Sequence, residues 1–317
     1  MAPGPHAALN LASIRPSELR RRAPYLVYRS GAVVARGLRG PLGIAVAQRA
    51  GVLAGRLSPR RRAMAERHQR RIRGRAATTA EVDEAFASYG RYWLELFRLP
   101  SVSAPELEAA MCYEGIGNAE LARAAGRGVI MAMPHVGAWD WGGAWMSATG
   151  FPMTVVVESL EPTELYEWFA DWRHELGMTV VRLDRHAGAG IAATLHRGGV
   201  VGLLCDRDLT GDGIEVEFLG ERTRLPGGPA TLALRTGAAL LPCAVLFEGD
   251  HHRGIVLPPI PTDRRANLRA DVHRVTQELA DALGTLIRRA PEQWHVFQPN
   301  WPSDLKHPLL PAVLADS

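Results

Sequence analysis

Lysine is nearly missing: of 37 basic residues in this 317-residue chain, Lys306 is the one that is not arginine. We read this as compositional bias, which weakens any argument from arginine's special chemistry and leaves only its charge. Cysteine is scarce too. Cys112, Cys205 and Cys243 have no CxxC or metal-ligand spacing, which excludes a disulfide scaffold and a zinc knuckle. Two of them sit in apolar runs, where a thiol serves as a small core residue, so the chain reads as a protein of a reducing compartment. Long hydrophobic runs are missing as well. The longest uncharged stretch, Trp141 to Val157, is broken by "TGFP" and reads as a helix end, a turn and a strand start, so no transmembrane helix is predicted. The opening "MAPGPHAALNLASIRPSELRRR" lacks the pattern of a secretory signal, which predicts a chain that stays in the cytosol. There is no GxSxG elbow, Walker loop, GxGxxG opening a helix, or HExxH, so serine esterase, nucleotide hydrolase and zinc protease chemistry lose their usual signatures.

What is present is unevenly spread. Residues 15–75 hold 17 arginines against Glu18 and Glu66, a charge of +15, so that with +4 overall the remainder carries −11. Such a block suits nucleic acid, an anionic membrane or an acidic partner. No zinc-finger spacing, aromatic ribonucleoprotein motif or basic-zipper heptad supports nucleic acid, and none is expected as a partner. Arg29 and Arg36, like Arg49 and Arg56, are seven apart and share a helical face, with Tyr25, Leu26, Val33, Ile44, Val46, Val52 and Leu53 between them. Pro41 separates two helices, and Ser58-Pro59 starts a third, strongly basic one. The expectation is a basic amphipathic module, residues 1–75, that docks on an anionic membrane surface; the competing reading has the same helices merely covering the core.

From 76 to 317 the pattern changes. "TTAEVDEAFASYGRYWLELFRLP" is an amphipathic helix with a start signal at Thr78 or Thr79 and Glu81. Apolar runs then alternate with helical segments: "GVIMAMP", "FPMTVVVES", "GMTVVRL", "GGVVGLLCD" and "GAALLPCAVLF". Alternation of this kind predicts an α/β fold, a central mostly parallel sheet flanked by helices. Three runs end in polar residues: the first in His135, the second in Glu158, the fourth in Asp206, Arg207 and Asp208. Ligands bind at the carboxyl edge of such sheets, so these endings are candidates for one pocket. A histidine paired with a carboxylate there suits removal of a proton from an acceptor hydroxyl.

Which carboxylate pairs with His135 stays open. Asp140 is five residues on, about 140° around a helix of 3.6 residues per turn, so both cannot share a face within one helix. Either His135 precedes the helix, which Pro134 and Gly137 favour, or Asp206 or Asp208 orients it while Asp140 acts indirectly. Arg173, Arg207 and Arg224 suit anionic groups or plain surface salt bridges, and Trp139, Trp141 and Trp145 the wall of a ligand site or core packing. His251 and His252 read as a polar turn without a role, and no metal site is indicated.

These residues carry a resemblance. "PHVGAWDWGG" resembles the HxxxxD block of the lysophospholipid acyltransferase superfamily in its bacterial lipid A acyltransferase branch. "FADWRHELGM", the segment from "GGVVGLLCDRD" to "TGAALLPCAV", and "PEQWHVFQPNWP" resemble three further blocks of that branch, in order, from about Arg60 to Pro302. Arg207 departs from the branch's usual glutamine, which implies a different acceptor or a different charge arrangement in the pocket. The form of "LCDRDLTGDGIEVEF" is closest to the actinobacterial phosphatidylinositol mannoside acyltransferases. The resemblance implies transfer of a fatty acyl chain, palmitoyl, from acyl-CoA as co-substrate to a mannose hydroxyl of a phosphorylated glycolipid. It places this at the cytoplasmic face of the plasma membrane, peripherally, with His135, Asp140 and Asp206 as catalytic residues, Glu158, Arg173, Arg207, Asp208 and Arg224 on substrate, and no further cofactor. With no nucleophile motif, the expected mechanism is direct attack without an acyl-enzyme. The alternatives are a lipid A-type or lysophospholipid acyltransferase and a non-enzymatic peripheral lipid-binding protein.

Overall fold

A computed structural model describes residues 16–158, 161–184, 186–307 and 309, with side chains from residue 21 onward. Arg15 and the first fifteen residues of the opening on which the cytosolic reading rests lie outside the described residues.

Three helices come first: α1 (Pro16–Gly37), α2 (Gly40–Arg56) and α3 (Pro59–Arg73). Pro41 lies in the first turn of α2 and Pro59 opens α3, where a missing N–H costs nothing. The next helix, α4 (Thr79–Arg98), is started by a capping box between Thr78 and Glu81. α2 crosses α4 closely because both carry glycine at the crossing: a Cβ on Gly51 would meet the Phe86 carbonyl oxygen at 2.2 Å, and one on Gly90 the Ala47 carbonyl oxygen at 2.2 Å.

The rest alternates. In chain order come α5 (Ala104–Ala109), β1 (Met111–Glu114), α6 (Gly117–Ala124), β2 (Val129–Met133), α7 (Trp139–Ala148), β3 (Met153–Val157), α8 (Thr163–Glu175), β4 (Thr179–Arg182), α9 (Ala187–His196) and β5 (Val200–Leu204). A hairpin of β6 (Ile214–Phe218) and β7 (Glu221–Leu225) follows, then α10 (Gly228–Thr236), β8 (Ala239–Glu248), β9 (His251–Val256) and α11 (Leu268–Arg289). The main sheet has seven strands in the order β1-β9-β8-β2-β5-β3-β4, parallel throughout except where β9 turns back on β8. The protein is therefore α/β with a mostly parallel central sheet flanked by helices. His251 and His252 are not a turn: Gly249 and Asp250 make it, and the histidines open β9.

β2 shows why its sequence is apolar without alternation. Val129, Met131 and Met133 face one core with α7 and α8, while Ile130 and Ala132 face the other with α9, α10 and α11. A strand buried on both faces has no polar side to show. Polar residues can appear only past its end.

Candidate active site

β2 and β5 are parallel neighbours, in register from Val129 opposite Val200 to Met133 opposite Leu204. Two residues further on, the same register sets His135 opposite Asp206. The contact is close. His135 Nδ1 lies 2.6 Å from Asp206 Oδ1, and the His135 backbone N–H donates to Oδ2 at 2.8 Å. The Trp294 indole N–H donates to Oδ2 at 2.7 Å, and the Asn300 amide donates to the Asp206 carbonyl at 2.9 Å. Asp206 is fully buried, which by itself pushes its carboxyl up; the charge and hydrogen bonds of His135, with the indole N–H, outweigh this and hold it below the ordinary range. Asp206 is thus an ionised carboxylate inside the protein. The His135 side chain is 20% exposed.

His135 precedes its helix. Its carbonyl accepts from the His295 N–H at 2.8 Å, and the Gly137 N–H donates to the Gln293 carbonyl at 2.9 Å, so residues 135–137 lie along the C-terminal tail. Gly137 has φ +62°, and a Cβ there would meet the Val245 carbonyl oxygen at 2.1 Å. The chain turns there and α7 starts at Trp139.

Asp140, in the first turn of α7, faces elsewhere. Its Oδ1 accepts from Arg173 at 2.7 Å and its Oδ2 from the Tyr92 hydroxyl at 2.9 Å. Burial, then the Asp140 charge, drives Tyr92 well above the usual phenol range, so it remains a donor. Tyr92 stacks on Trp139 at 4.1 Å, and Trp139 sets its ring against His135 edge to face at 5.4 Å. Asp140 is therefore coupled to His135 through two aromatic rings, with no hydrogen bond between them among the described contacts.

The remaining candidates scatter. Glu158 is exposed beyond β3. Asp208 holds its own loop, accepting from the Gly211 and Gly213 N–H groups at 2.9 Å each. Arg224, on β7, is exposed and donates to the Gly211 carbonyl at 3.3 Å; it lines an open cleft of about 580 Å³ with Asp208, Arg222, Thr223 and Asn300. Arg207 is half-buried and has no carboxylate partner among the described residues. Of the three tryptophans, Trp139 touches the site, while Trp141 stacks on His252 at 4.3 Å and Trp145 packs on Tyr113 at 5.0 Å. Among the described residues, no group of three or more His, Cys, Asp or Glu side chains is arranged to hold a metal ion.

Several participants carried no readable signal. Tyr92 sat in an amphipathic helix as one more apolar position. Trp294 and Asn300 lie in the "PEQWHVFQPNWP" block, but nothing local shows that they reach Asp206. His295 is buried against Ser88, Nε2 to Oγ 2.9 Å, and burial, with His135 nearby, lowers it to about 3. His252 is held by Glu95 at 2.6 Å, which Arg91 grips in turn at 2.6 Å.

An imidazole fixed through one nitrogen by a buried carboxylate, at the carboxyl edge of an open parallel sheet, can accept a proton at its other nitrogen. Among the described residues no hydroxyl or thiol is hydrogen-bonded to it. The sequence model of the bacterial lipid A biosynthesis acyltransferases matches residues 41–303, and the chain belongs to that family. It is 40% identical over 224 residues, 70% of this chain and 72% of the relative, to the phosphatidylinositol mannoside acyltransferase of Mycolicibacterium smegmatis. The protein of the same name from Mycobacterium tuberculosis is 41% identical over 223 residues, 69% of each chain. Among the described residues no helix is long and apolar enough to cross a membrane.

Proposed function

We propose that this acyltransferase moves a palmitoyl chain from acyl-CoA to a mannose hydroxyl of a phosphatidylinositol mannoside, with His135 as general base. The acceptor class rests on the relatives. The mechanism rests on one observation: Asp206 takes Nδ1 of His135, which fixes the tautomer and leaves Nε2 as the basic atom. Nε2 removes the proton of the mannose hydroxyl as its oxygen attacks the thioester carbonyl. The tetrahedral intermediate collapses, the C–S bond breaks, and the imidazolium returns its proton to the leaving CoA thiolate. Asp206 stabilises the imidazolium without taking its proton.

Direct attack is favoured over an acyl-enzyme. Cys205, the nearest thiol, is buried with its Sγ directed at the Leu203 carbonyl oxygen, and burial, then the Asp206 charge, drives it well above the usual thiol range. Asp140 positions rather than reacts, and Arg173 is neutralised by it. Arg207 and Arg224 are left for anionic groups of the substrates. The exposed side of α1 and α2 meets an anionic membrane surface, bringing the site to its lipid.

The test is acylation of a panel of lipid acceptors with radiolabelled palmitoyl-CoA. The phosphatidylinositol mannoside should be the one acylated, and His135→Ala should lose on the order of 10²–10⁴-fold in rate with unchanged thermal stability. Transfer by His135→Ala within about threefold of the parent, roughly 0.65 kcal/mol, would remove the base assignment.

A further inference from the structure

We propose that Trp294 positions the catalytic pair, by locking the Asp206 carboxylate through the oxygen that the His135 ring does not take. This rests on His135 and Asp206 acting as proposed above.

Asp206 receives three N–H groups, and their distribution matters. The His135 ring takes Oδ1; the His135 backbone and the Trp294 indole share Oδ2. A carboxylate held through both oxygens has its plane fixed, and with it the ring that leans on it. Without the indole both oxygens would be held by His135 alone, and carboxylate and imidazole could shift together relative to the rest of the site. Indole also suits the place chemically. It is a donor only and does not titrate, so it draws negative charge toward Oδ2 without offering Asp206 a proton.

The indole is itself held. It packs against His68 at 5.1 Å, Trp301 at 6.0 Å and Phe218 at 6.3 Å. His68 is fixed by the Val296 carbonyl at 2.9 Å and by Asp304 at 3.2 Å. Asp304 also takes Arg67 and Arg71 of α3, at 2.8 Å each, and the backbone N–H groups of Asn300 and Trp301. Asn300, on the same strap, grips the Asp206 carbonyl. One loop, residues 294–304, therefore holds Asp206 at its carboxylate and its carbonyl, and α3 anchors that loop. A tryptophan that only filled space would not need its single polar atom on the buried carboxylate.

Trp294→Phe removes the donor and keeps a ring. Loss of a hydrogen bond to a charged group predicts a kcat lower on the order of 10- to 100-fold, with KM for acyl-CoA within about threefold. Asp206 then becomes more basic and favours the protonated imidazole, so the acid limb of the pH–rate profile moves to higher pH. In an Asp206→Asn background the same substitution should cost nothing further, since it acts through Asp206. Losses that multiply in the double variant, or a fall in kcat with an unmoved acid limb, would make Trp294 merely structural. If Trp294→Phe does not fold, Asn300→Ala decides: a loss of kcat absent from the Asp206→Asn background supports the strap, and parent activity overturns it. His135→Ala run in parallel separates the failures, because an active His135→Ala defeats the base assignment and an inactive one beside a parent-like Trp294→Phe defeats this inference alone.

Discussion

α3 and the pair α1–α2 are alike in composition and opposite in use. All belong to the same arginine-rich stretch, yet α3 turns Arg62, Arg67, Arg71 and Arg73 to acids of the body and leaves Arg60, Arg61 and Arg70 exposed. Arg62 meets Asp83 at 2.6 Å, Arg67 and Arg71 meet Asp304, and Arg73 lies 3.3 Å from Glu81. In α1 and α2 such pairs are found at the ends, where Arg21 reaches Glu164 and Arg56 reaches Asp83. Between them Val33, Val34, Leu42 and Leu53 stand 67%, 61%, 74% and 59% exposed beside Arg36 and Arg49. A net charge of +15 therefore conceals two layers: one set of cations already satisfied by the protein, and one that shares its surface with uncovered apolar side chains. The covering reading describes α3, and the docking proposal rests on α1 and α2 alone.

The difference is sharpest at Asp304. Removing it strands Arg67, Arg71 and His68 around a buried gap, and breaking a buried pair in this way costs about 3–5 kcal/mol. Asp304→Ala should therefore unfold at markedly lower denaturant than the parent, whereas Arg36→Glu on α1 should match it. Equal stability of the two variants in urea titrations would erase the distinction between the layers.

The sequence showed the fold class because β2, β3 and β5 are short apolar runs with turn signals at both ends, and because a capping box marks α4. It marked His135 as a candidate because a histidine just past an apolar run that shows no polar face stands at the sheet edge where ligands bind. It did not settle the partner of His135, since that depends on strand order: three helices and two strands separate β5 from β2 in the chain, yet β5 lies beside β2 in the sheet. Distance hid the rest. Asp140 finds Arg173 and Tyr92 33 and 48 residues away, and Trp294 finds Asp206 88 residues away. β1 and β9 were missed because four- and six-residue strands rich in polar side chains carry no period that separates them from loop.

The outer layer has its own test. Arg29, Arg36 and Arg49 have no acidic partner among the described contacts, so changing all three to glutamate should leave the thermal midpoint nearly unmoved. Arg56 does not belong in that set, because its substitution would also break the pair with Asp83. At roughly 1 kcal/mol per basic residue near an anionic surface, binding to vesicles rich in acidic lipid should fall on the order of a hundredfold at low salt. Raising the salt should weaken binding of the parent more than of the variant. Equal co-sedimentation of both proteins at low and high salt would leave α1 and α2 with no membrane role and make the whole module a cover for the core.

Acid separates the same regions more gently, through groups that titrate at different pH. His295 is neutral in the folded protein down to about 3, whereas an unfolded histidine takes a proton near 6.5. Between those values the unfolded chain binds the extra proton, so stability falls as pH drops below 6.5, by at most about 1.4 kcal/mol per pH unit, and the loss begins beside the active site. The α3 layer follows later. Arg56 and then Arg62 hold Asp83 low; Arg75 and the Thr78 N–H hold Glu81 at about 2; and Asp304, though burial opposes it, is held low by His68 and Arg67. Carboxylates depressed in the fold contribute stability that is complete above their unfolded pKa near 4 and is lost as pH falls toward the folded values. Amide exchange corrected for intrinsic rates should therefore show protection falling first at residues 293–297 between pH 6.5 and 5, and at α3 only below about 4. His295→Phe should flatten the upper window and leave the lower one unchanged. Loss of protection at α3 in step with residues 293–297 would mean that the helix is not held by its carboxylate pairs.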